Sequence, residues 1–170
     1  MAEIHAARRA RAQQKIAEIG ADAALITSPP NVRYLSGLVS SNAAVLLPAD
    51  GPGVLATDFR YAEAAARDCS DLELLVERHL EPALAALAVA RGWPTLAFEA
   101  QEMTVERYSA LASLDGGPTL LVELGRAIED LRMIKDSAEI ELLARACAIT
   151  CEAFAQVLDE IVPGRTVPCP

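Results

Sequence analysis

The stretch SPPNVRYLSG, residues 28–37, follows an apolar run and supplies the first clear boundary in the chain. The preceding residues, AALIT at 23–27, form a short apolar segment that is typical of a buried strand. The two consecutive prolines end that strand, because proline lacks the backbone N–H that a neighbouring strand needs. NVRYLSG then fits a single turn of helix, with Asn31 as its predicted N-cap and Gly37 at its end. The stretch therefore predicts a strand that stops abruptly and is followed at once by a short helix.

Outward from this boundary, short apolar runs alternate with segments of helical periodicity. The predicted strands lie at 23–27, 72–76, 95–99 and 119–123, and a hairpin is predicted at 43–58 around the turn-forming residues DGPG. The other predicted helices lie at 5–19, 59–68, 80–92 and 104–112. This order predicts an α/β fold with a mixed β-sheet flanked by helices.

The last part of the chain has a different pattern. Asp136 and Glu139 form a start typical of a capping box, and apolar residues then recur at spacings of three and four. The pattern predicts a long amphipathic C-terminal helix of about 24 residues that ends at VPG, 162–164. We expect its apolar stripe to pack against a partner outside this chain.

The composition is acidic and globular. Of 170 residues, 52% are hydrophobic and 23% are charged, and the net charge is −9. Nucleic-acid-binding proteins usually carry a basic patch, so we expect no nucleic-acid partner. The basic cluster of Arg8, Arg9, Arg11 and Lys15 is interpreted as a solvated helix face. No apolar run approaches the roughly 20 residues of a membrane span, and no secretory signal is present, so we expect a cytoplasmic protein without a membrane partner.

A search for catalytic motifs in the sequence identifies none. The phosphate loop, the dinucleotide fingerprint, the nucleophile elbow and the HExxH zinc motif are absent. The only two histidines, His5 and His79, lie at a terminus and between predicted elements, and the four cysteines lack the spacing of a zinc site. Carboxylates, Glu99 among them, show no pairing typical of a metal site and are interpreted mostly as solvated. We therefore predict no catalytic residue and no metal ligand in this chain.

Four segments together resemble one known family. NVRYLSG (31–37) is similar to the NxxYL[ST]G element of the creatinase/prolidase N-terminal domain, and TDFRYAEAA (57–65) is similar to its TDxRYxxxA element. LAFEAQEMTVERYSAL (96–111) resembles the strand, acidic residue and helix of the same domain. LRMIKDSAEIELLARACAIT (131–150) resembles the segment that opens the catalytic half of Xaa-Pro peptidases. The four segments occur in the family's order and cover nearly the whole chain.

The resemblance implies an N-terminal domain at 1–130, followed at 131–170 by a linker and the first helix of a catalytic domain of the pita-bread type. In the family that catalytic domain binds two divalent metal ions (Mn, Co or Zn) through two Asp, one His and two Glu. All five ligands would lie beyond residue 170, so we expect this chain alone to be inactive. The parent enzyme would hydrolyse Xaa-Pro peptides by metal-activated water.

The resemblance also implies a homodimer in which the N-terminal domain narrows the partner's active-site entrance. Asn31, Arg33 and Tyr34 are candidates for this contact, but for Asn31 and Tyr34 a cap and a core position are the favoured interpretation. Asp58, Arg60 and Tyr61 are interpreted as a structural motif, in which Asp58 caps the following helix and pairs with Arg60. Two alternatives remain open: a non-catalytic protein-interaction module of the same fold, and the N-terminal domain of a creatinase-like amidinohydrolase.

Overall fold

The computed structural model describes residues 2–158, 161 and 164, without the side chain of Ala2. The chain divides into two compact units, one up to Met133 and the other from Ile134 onward. The predicted end of the C-terminal helix at 162–164 lies largely outside the described residues. The assignment of residues 131–170 to a catalytic domain stays a prediction.

The first unit is built on one six-stranded sheet. Its strands are β1 (Ala23–Ile26), β2 (Ala43–Pro48), β3 (Val54–Thr57), β4 (Glu73–Val76), β5 (Thr95–Phe98) and β6 (Leu120–Glu123). They are arranged in the order β4-β3-β2-β1-β5-β6. In β1, Leu25 is opposite Leu46 of β2 on one side and Phe98 of β5 on the other. The predicted mixed sheet is therefore confirmed.

Most of the strands run in the same direction, so the loops that follow these strands lie at one edge of the sheet. β2 is antiparallel to both β1 and β3, whereas the pairs β1–β5, β5–β6 and β3–β4 are parallel. Five strands therefore end at the edge where β2 begins, which is called the carboxyl edge below. The opposite edge carries the turn between β2 and β3 and the segments that enter β1, β5 and β6.

Helices cover both faces of the sheet. In the first unit they are α1 (Ala2–Glu18), α2 (Pro29–Ser36), α3 (Ala62–Asp68), α4 (Leu80–Ala90), α5 (Val105–Ala112) and α6 (Ala127–Met133). Successive side chains of a strand point to opposite faces, so Leu25 and Ile26 of β1 enter different cores. Ile26 packs with Ile16 of α1 and Ile128 of α6, and Leu25 packs with Leu84 of α4. The sequence did not predict α6.

The short helix α2 begins earlier than predicted. Pro29 and Pro30 form its first turn, where a missing N–H costs nothing, and Ser28 is the N-cap residue. The prediction of Asn31 as N-cap is wrong, because Asn31 lies inside the helix and its side chain is fully buried. The helix ends at Gly37, whose φ of 83° is left-handed.

The second unit contains α7 (Ser137–Leu158). The backbone N–H of Asp136 donates to Glu139 Oε2 at 3.0 Å, and the N–H of Glu139 donates to Asp136 Oδ1 at 2.9 Å. This reciprocal pair confirms the capping box and the long C-terminal helix. Apart from the half-buried Glu139, the described side chains of α7 are exposed within the chain, including Ile140, Leu143 and Phe154. Among the described helices, none combines the length and the apolar character that crossing a membrane requires.

Candidate functional site

Glu99 follows β5 directly at the carboxyl edge, and its side chain is only 1% exposed. Its Oε2 accepts the backbone N–H groups of Thr27 at 2.6 Å and of Ser28 at 2.8 Å. Its Oε1 accepts an N–H of the Asn31 side chain at 2.5 Å. The carboxylate thereby holds the start of α2 against the end of β5. Glu99 is therefore an exception to the interpretation of most carboxylates as solvated.

Two opposing effects act on the pKa of Glu99. Burial disfavours the ionised carboxylate and raises the pKa above its ordinary value. The hydrogen bonds from Asn31, Ser28 and Thr27 work in the opposite direction, and the nearby Glu129 carboxylate adds to the increase. Burial is the largest effect, so Glu99 takes up a proton more readily than an exposed glutamate.

Asn31 connects Glu99 to α6. Its Nδ2 also donates to Glu129 Oε1 at 2.7 Å, and its Oδ1 accepts from Arg132 Nη1 at 2.8 Å. Gln101 donates to the same oxygen of Glu129 at 3.1 Å. We call Glu99, Asn31, Glu129 and Arg132 the Asn31 network. It links β5, α2 and α6 in the first unit.

The sequence indicated only part of this network. Asn31 was a candidate because of its motif, but Glu129 and Arg132 lie on the helix that was not predicted. Glu99 carried a usable signal, because an acidic residue directly after a buried strand lies at a strand end, where backbone N–H groups are available. The pattern gave no indication that its partners would come from residues 27, 28 and 31.

Tyr34 lies inside the first unit. Its ring lies under the Arg8 guanidinium, 4.3 Å from ring centroid to Cζ. Its hydroxyl accepts from Arg11 Nη2 at 3.3 Å and donates to the carbonyl of Leu131 in α6 at 3.4 Å. The side chain is 5% exposed, so its contacts are internal.

The interpretation of the basic N-terminal cluster as a solvated face is wrong for two of its members. Arg8 and Arg9 are buried, because their side chains reach the last carbonyl groups of α2. Arg9 Nη1 donates to the carbonyl of Leu35 at 2.7 Å, and its other terminal nitrogen forms an ion pair with Asp71. Guanidinium groups at a helix C-terminus satisfy carbonyls that lack a partner within the helix and offset the helix dipole.

Arg33 is the one member of the candidate set Asn31, Arg33 and Tyr34 whose side chain is exposed. The structure therefore does not bring the three side chains together on one surface. Asn31 and Tyr34 have internal partners, and Arg33 projects from α2 near the carboxyl edge. A contact of these residues with a partner subunit stays a prediction.

Asp58 is the centre of a second polar cluster at the carboxyl edge, after β3. Its Oδ1 accepts the Arg60 backbone N–H at 2.9 Å and Nε at 3.0 Å, and its Oδ2 accepts from Arg60 Nη2 at 2.7 Å and Asn42 Nδ2 at 2.8 Å. These hydrogen bonds, from Arg60 first and then Asn42, hold the pKa of Asp58 well below its usual range.

The Asp58 cluster shapes the turn before α3 rather than the helix itself. Because α3 begins at Ala62, Asp58 does not cap it, and that part of the prediction is wrong. The predicted pairing of Asp58 with Arg60 is present. Tyr61 is half-buried, and its hydroxyl is 2.9 Å from Ser41 Oγ. These contacts fix the loop before β2 against the turn after β3.

A cleft of about 180 Å³ opens at the carboxyl edge. Its lining includes Val32 of α2, Ser41 and Asn42 of the loop before β2, Glu81 of α4 and Arg107 of α5. Arg107 and Glu81 form an ion pair across 3.2 Å. The part of the chain that the structure describes contains no group of three or more His, Cys, Asp or Glu side chains that could hold a metal ion.

Six strands in this order, with the two motif clusters at one edge, define the class of protein. The sequence profile of the Creatinase/Prolidase N-terminal domain matches residues 8–134. The chain belongs to this family.

Individual relatives agree with the family assignment. The chain is 32% identical over 148 residues to the uncharacterized peptidase YqhT of Bacillus subtilis (strain 168), covering 86% of this chain and 41% of that protein. It thus spans less than half the length of this curated relative.

Two solved structures share the fold. The N-terminal domain of the cytoplasmic peptidase PepQ from Mycobacterium tuberculosis H37Rv is 44% identical, with a TM-score of 0.70 over 74% of this chain and 98% of that one. The Xaa-Pro dipeptidase from Bacillus anthracis is 27% identical, with a TM-score of 0.87 over 95% of this chain and 45% of that one. The chain is therefore similar to the N-terminal domains of Xaa-Pro peptidases.

Proposed function

We propose that this chain serves as the non-catalytic N-terminal domain of a metal-dependent, cytoplasmic Xaa-Pro peptidase. The observation that carries the proposal is the similarity of nearly the whole chain, α7 included, to less than half of an Xaa-Pro dipeptidase. Hydrolysis would be carried out by a catalytic half of the same protein. Two divalent metal ions bound there, Mn, Co or Zn, would lower the pKa of a bound water and polarise the scissile carbonyl.

The role of the domain is to support a homodimer and to shape the active-site entrance of the partner subunit. Arg33 is the candidate that suits this role, because its guanidinium is exposed on a short helix whose two ends are fixed. The Asn31 network holds one end of α2, and Arg9 binds its last turn. Because the helix that carries Arg33 is already fixed, its guanidinium can bind the carboxylate of a short peptide without a large loss of side-chain entropy in the rest of the domain.

The first experiment tests whether this chain alone can hydrolyse a dipeptide. Incubation of this chain with Mn²⁺ and an Xaa-Pro dipeptide is expected to give no turnover, and measurable hydrolysis would contradict the proposal. The coding sequence that follows residue 170 gives an independent test. A set of Asp, Asp, His, Glu and Glu ligands there supports the peptidase, whereas its absence supports the interaction module.

The second experiment tests whether Arg33 contributes to the active-site entrance of the partner subunit. In the intact dimeric peptidase, Arg33→Ala is expected to raise KM for dipeptides or weaken the preference for short peptides, with little change in melting temperature. Arg67→Ala is the matched control, because Arg67 is also exposed on a helix of this domain and pairs with its neighbour Asp68. Unchanged hydrolysis and unchanged length preference in Arg33→Ala would exclude the contact in trans.

A further inference from the structure

The Asn31 side-chain amide has neighbours that allow only one orientation. Its two N–H groups point to the carboxylates of Glu99 and Glu129, and its oxygen points to the guanidinium of Arg132. Ionised carboxylates only accept hydrogen bonds, and a guanidinium only donates them. The orientation of the amide therefore depends on the charge of its neighbours.

A proton added to Glu99 has one place to go. Oε2 already accepts two backbone N–H groups, from Thr27 and Ser28, and the Thr27 hydroxyl lies 3.5 Å away. These backbone donors cannot reverse, because they belong to the fixed junction of β1 and α2. The proton must therefore be added to Oε1, where it faces an N–H of Asn31 at a heavy-atom distance of 2.5 Å. Among the described groups bonded to Oε1, the new O–H finds an acceptor only if Asn31 presents Oδ1 in place of Nδ2.

We propose that protonation of Glu99 turns over the side-chain amide of Asn31 and thereby breaks the two hydrogen bonds that join this residue to α6. After the turn, Glu99 donates its new O–H to Asn31 Oδ1. The same rotation points Oδ1 at the Glu129 carboxylate and Nδ2 at the Arg132 guanidinium, so both hydrogen bonds to α6 are lost. The only particle taken up is one proton from solvent, and no covalent bond other than O–H forms.

The surroundings of Glu99 support this assignment. The described groups bonded to it from the β1–α2 junction and from α2 are neutral, namely two backbone N–H groups, a hydroxyl and an amide. The other charged members of the network, Glu129 and Arg132, both lie on α6. Burial, and to a smaller extent the Glu129 carboxylate, raise the pKa of Glu99 above its ordinary value.

The proposal predicts two responses of opposite sign. Because the folded chain binds the Glu99 proton more tightly than the unfolded chain, this group stabilises the fold as pH falls through its raised pKa. Over the same range α6 loses its two hydrogen bonds to Asn31 and keeps the contact between the Tyr34 hydroxyl and the Leu131 carbonyl, so local opening of α6 becomes more frequent. Simple acid weakening of the fold would move both quantities in the same direction.

The test follows the full chain by NMR as pH is lowered toward the ordinary glutamate pKa of 4.5. We expect the Asn31 side-chain NH₂ signals to move with one titration step. Backbone hydrogen exchange within 127–133, corrected for its intrinsic pH dependence, should rise about tenfold or more in the same step, as expected for the loss of charge-assisted hydrogen bonds.

Three variants make the test specific. Glu99→Gln carries an N–H donor where the proton would be. At neutral pH its Asn31 NH₂ signals and its hydrogen exchange within 127–133 should therefore already resemble those of the original chain in acid, and neither should show a titration step. Glu102→Gln, which removes an exposed carboxylate from the same turn, should titrate like the original chain. Glu129→Gln should retain the step, because the proton is carried by Glu99. This variant also tests the assignment of the proton if Glu99→Gln does not fold. A step that is absent from the original chain, survives in Glu99→Gln or disappears in Glu129→Gln would overturn the proposal.

Discussion

Single polar side chains at the carboxyl edge join neighbouring loops to one another. Asp58 is the clearest case, because one carboxylate receives four hydrogen bonds from two residues on different loops. It joins the turn after β3 to the loop before β2, and the Tyr61–Ser41 contact closes the same junction. At the residue scale, charge-assisted hydrogen bonds thus join the two loops of this edge.

Replacement of Asp58 by Ala is expected to lower the melting temperature at neutral pH. The folded-state pKa of Asp58 is lowered, so its stabilising contribution is present above the ordinary aspartate pKa of about 3.9 and is lost as pH falls through the folded-state value. The difference in melting temperature between the original chain and Asp58→Ala should therefore shrink in acid.

Thermal unfolding followed by circular dichroism at several pH values checks this expectation. The control is Asp68→Ala, which removes an exposed carboxylate that pairs only with the neighbouring Arg67. Equal melting temperatures for Asp58→Ala and the control at neutral pH would show that the Asp58 cluster does not stabilise the fold.

At the scale of elements, α1 and α2 are joined through charged groups as well as apolar ones. Ala12 and Ile16 of α1 pack in the core, while Arg8 and Arg9 lie along α2 and bind its carbonyl groups. His5 Nδ1 also contacts the Tyr34 carbonyl at 2.9 Å. The last turn of α2 thus obtains its hydrogen-bond partners from a neighbouring helix.

Replacement of Arg9 by Ala is expected to lower the free energy of unfolding by about 2–3 kcal/mol. It removes a charge-assisted bond to the Leu35 carbonyl and leaves Asp71 without its ion-pair partner. Lys15→Ala is the control on the same helix, since Lys15 makes an exposed pair with Glu18 and should cost less than about 1 kcal/mol. Urea unfolding measures both, and similar values for the two variants would be inconsistent with the proposed role of Arg9.

The elements and contacts of this fold differ in how far the sequence alone could predict them. Strands and long helices were predicted within a few residues, because apolar periodicity and Gly or Pro boundaries are local signals. The burial of Arg8 and Arg9 was not predicted, because it depends on carbonyl groups about 26 residues away. The seven-residue helix α6 was missed because it is too short to show a clear period. Asn31 was selected because of its motif, but the partners that it has in the structure could be found only in three dimensions.

On the scale of the whole molecule, both apolar cores lie within the first unit. The buried residues of the two clusters, and the partly buried ones around them, end at Leu131. A fully buried Leu or Ile contributes about 1.5–3 kcal/mol through loss of contact with water, and both faces of the sheet are supplied from residues before 134. The first unit therefore contains what a stable domain requires.

A chain shortened to residues 1–133 is expected to unfold cooperatively, with a melting temperature within a few degrees of the full chain. Circular dichroism during heating measures this, and a broad or absent transition would show that the second unit is required for folding. The matched control is the shortened chain with Leu25→Ala, which opens a cavity in the centre of the sheet. That variant should lose about 3–5 kcal/mol and confirm that the transition reports the native core.

The arrangement of the strands also has a practical consequence. Both polar clusters and the cleft lie at the carboxyl edge, while the connection between α5 and β6, which includes the exposed Asp115 and Gly116, enters the sheet from the opposite side. A fluorescent label or a short peptide insertion at Gly116 would be separated from both clusters by the length of the strands. The domain could then carry a reporter group while the surfaces that carry its family motifs remain unaltered.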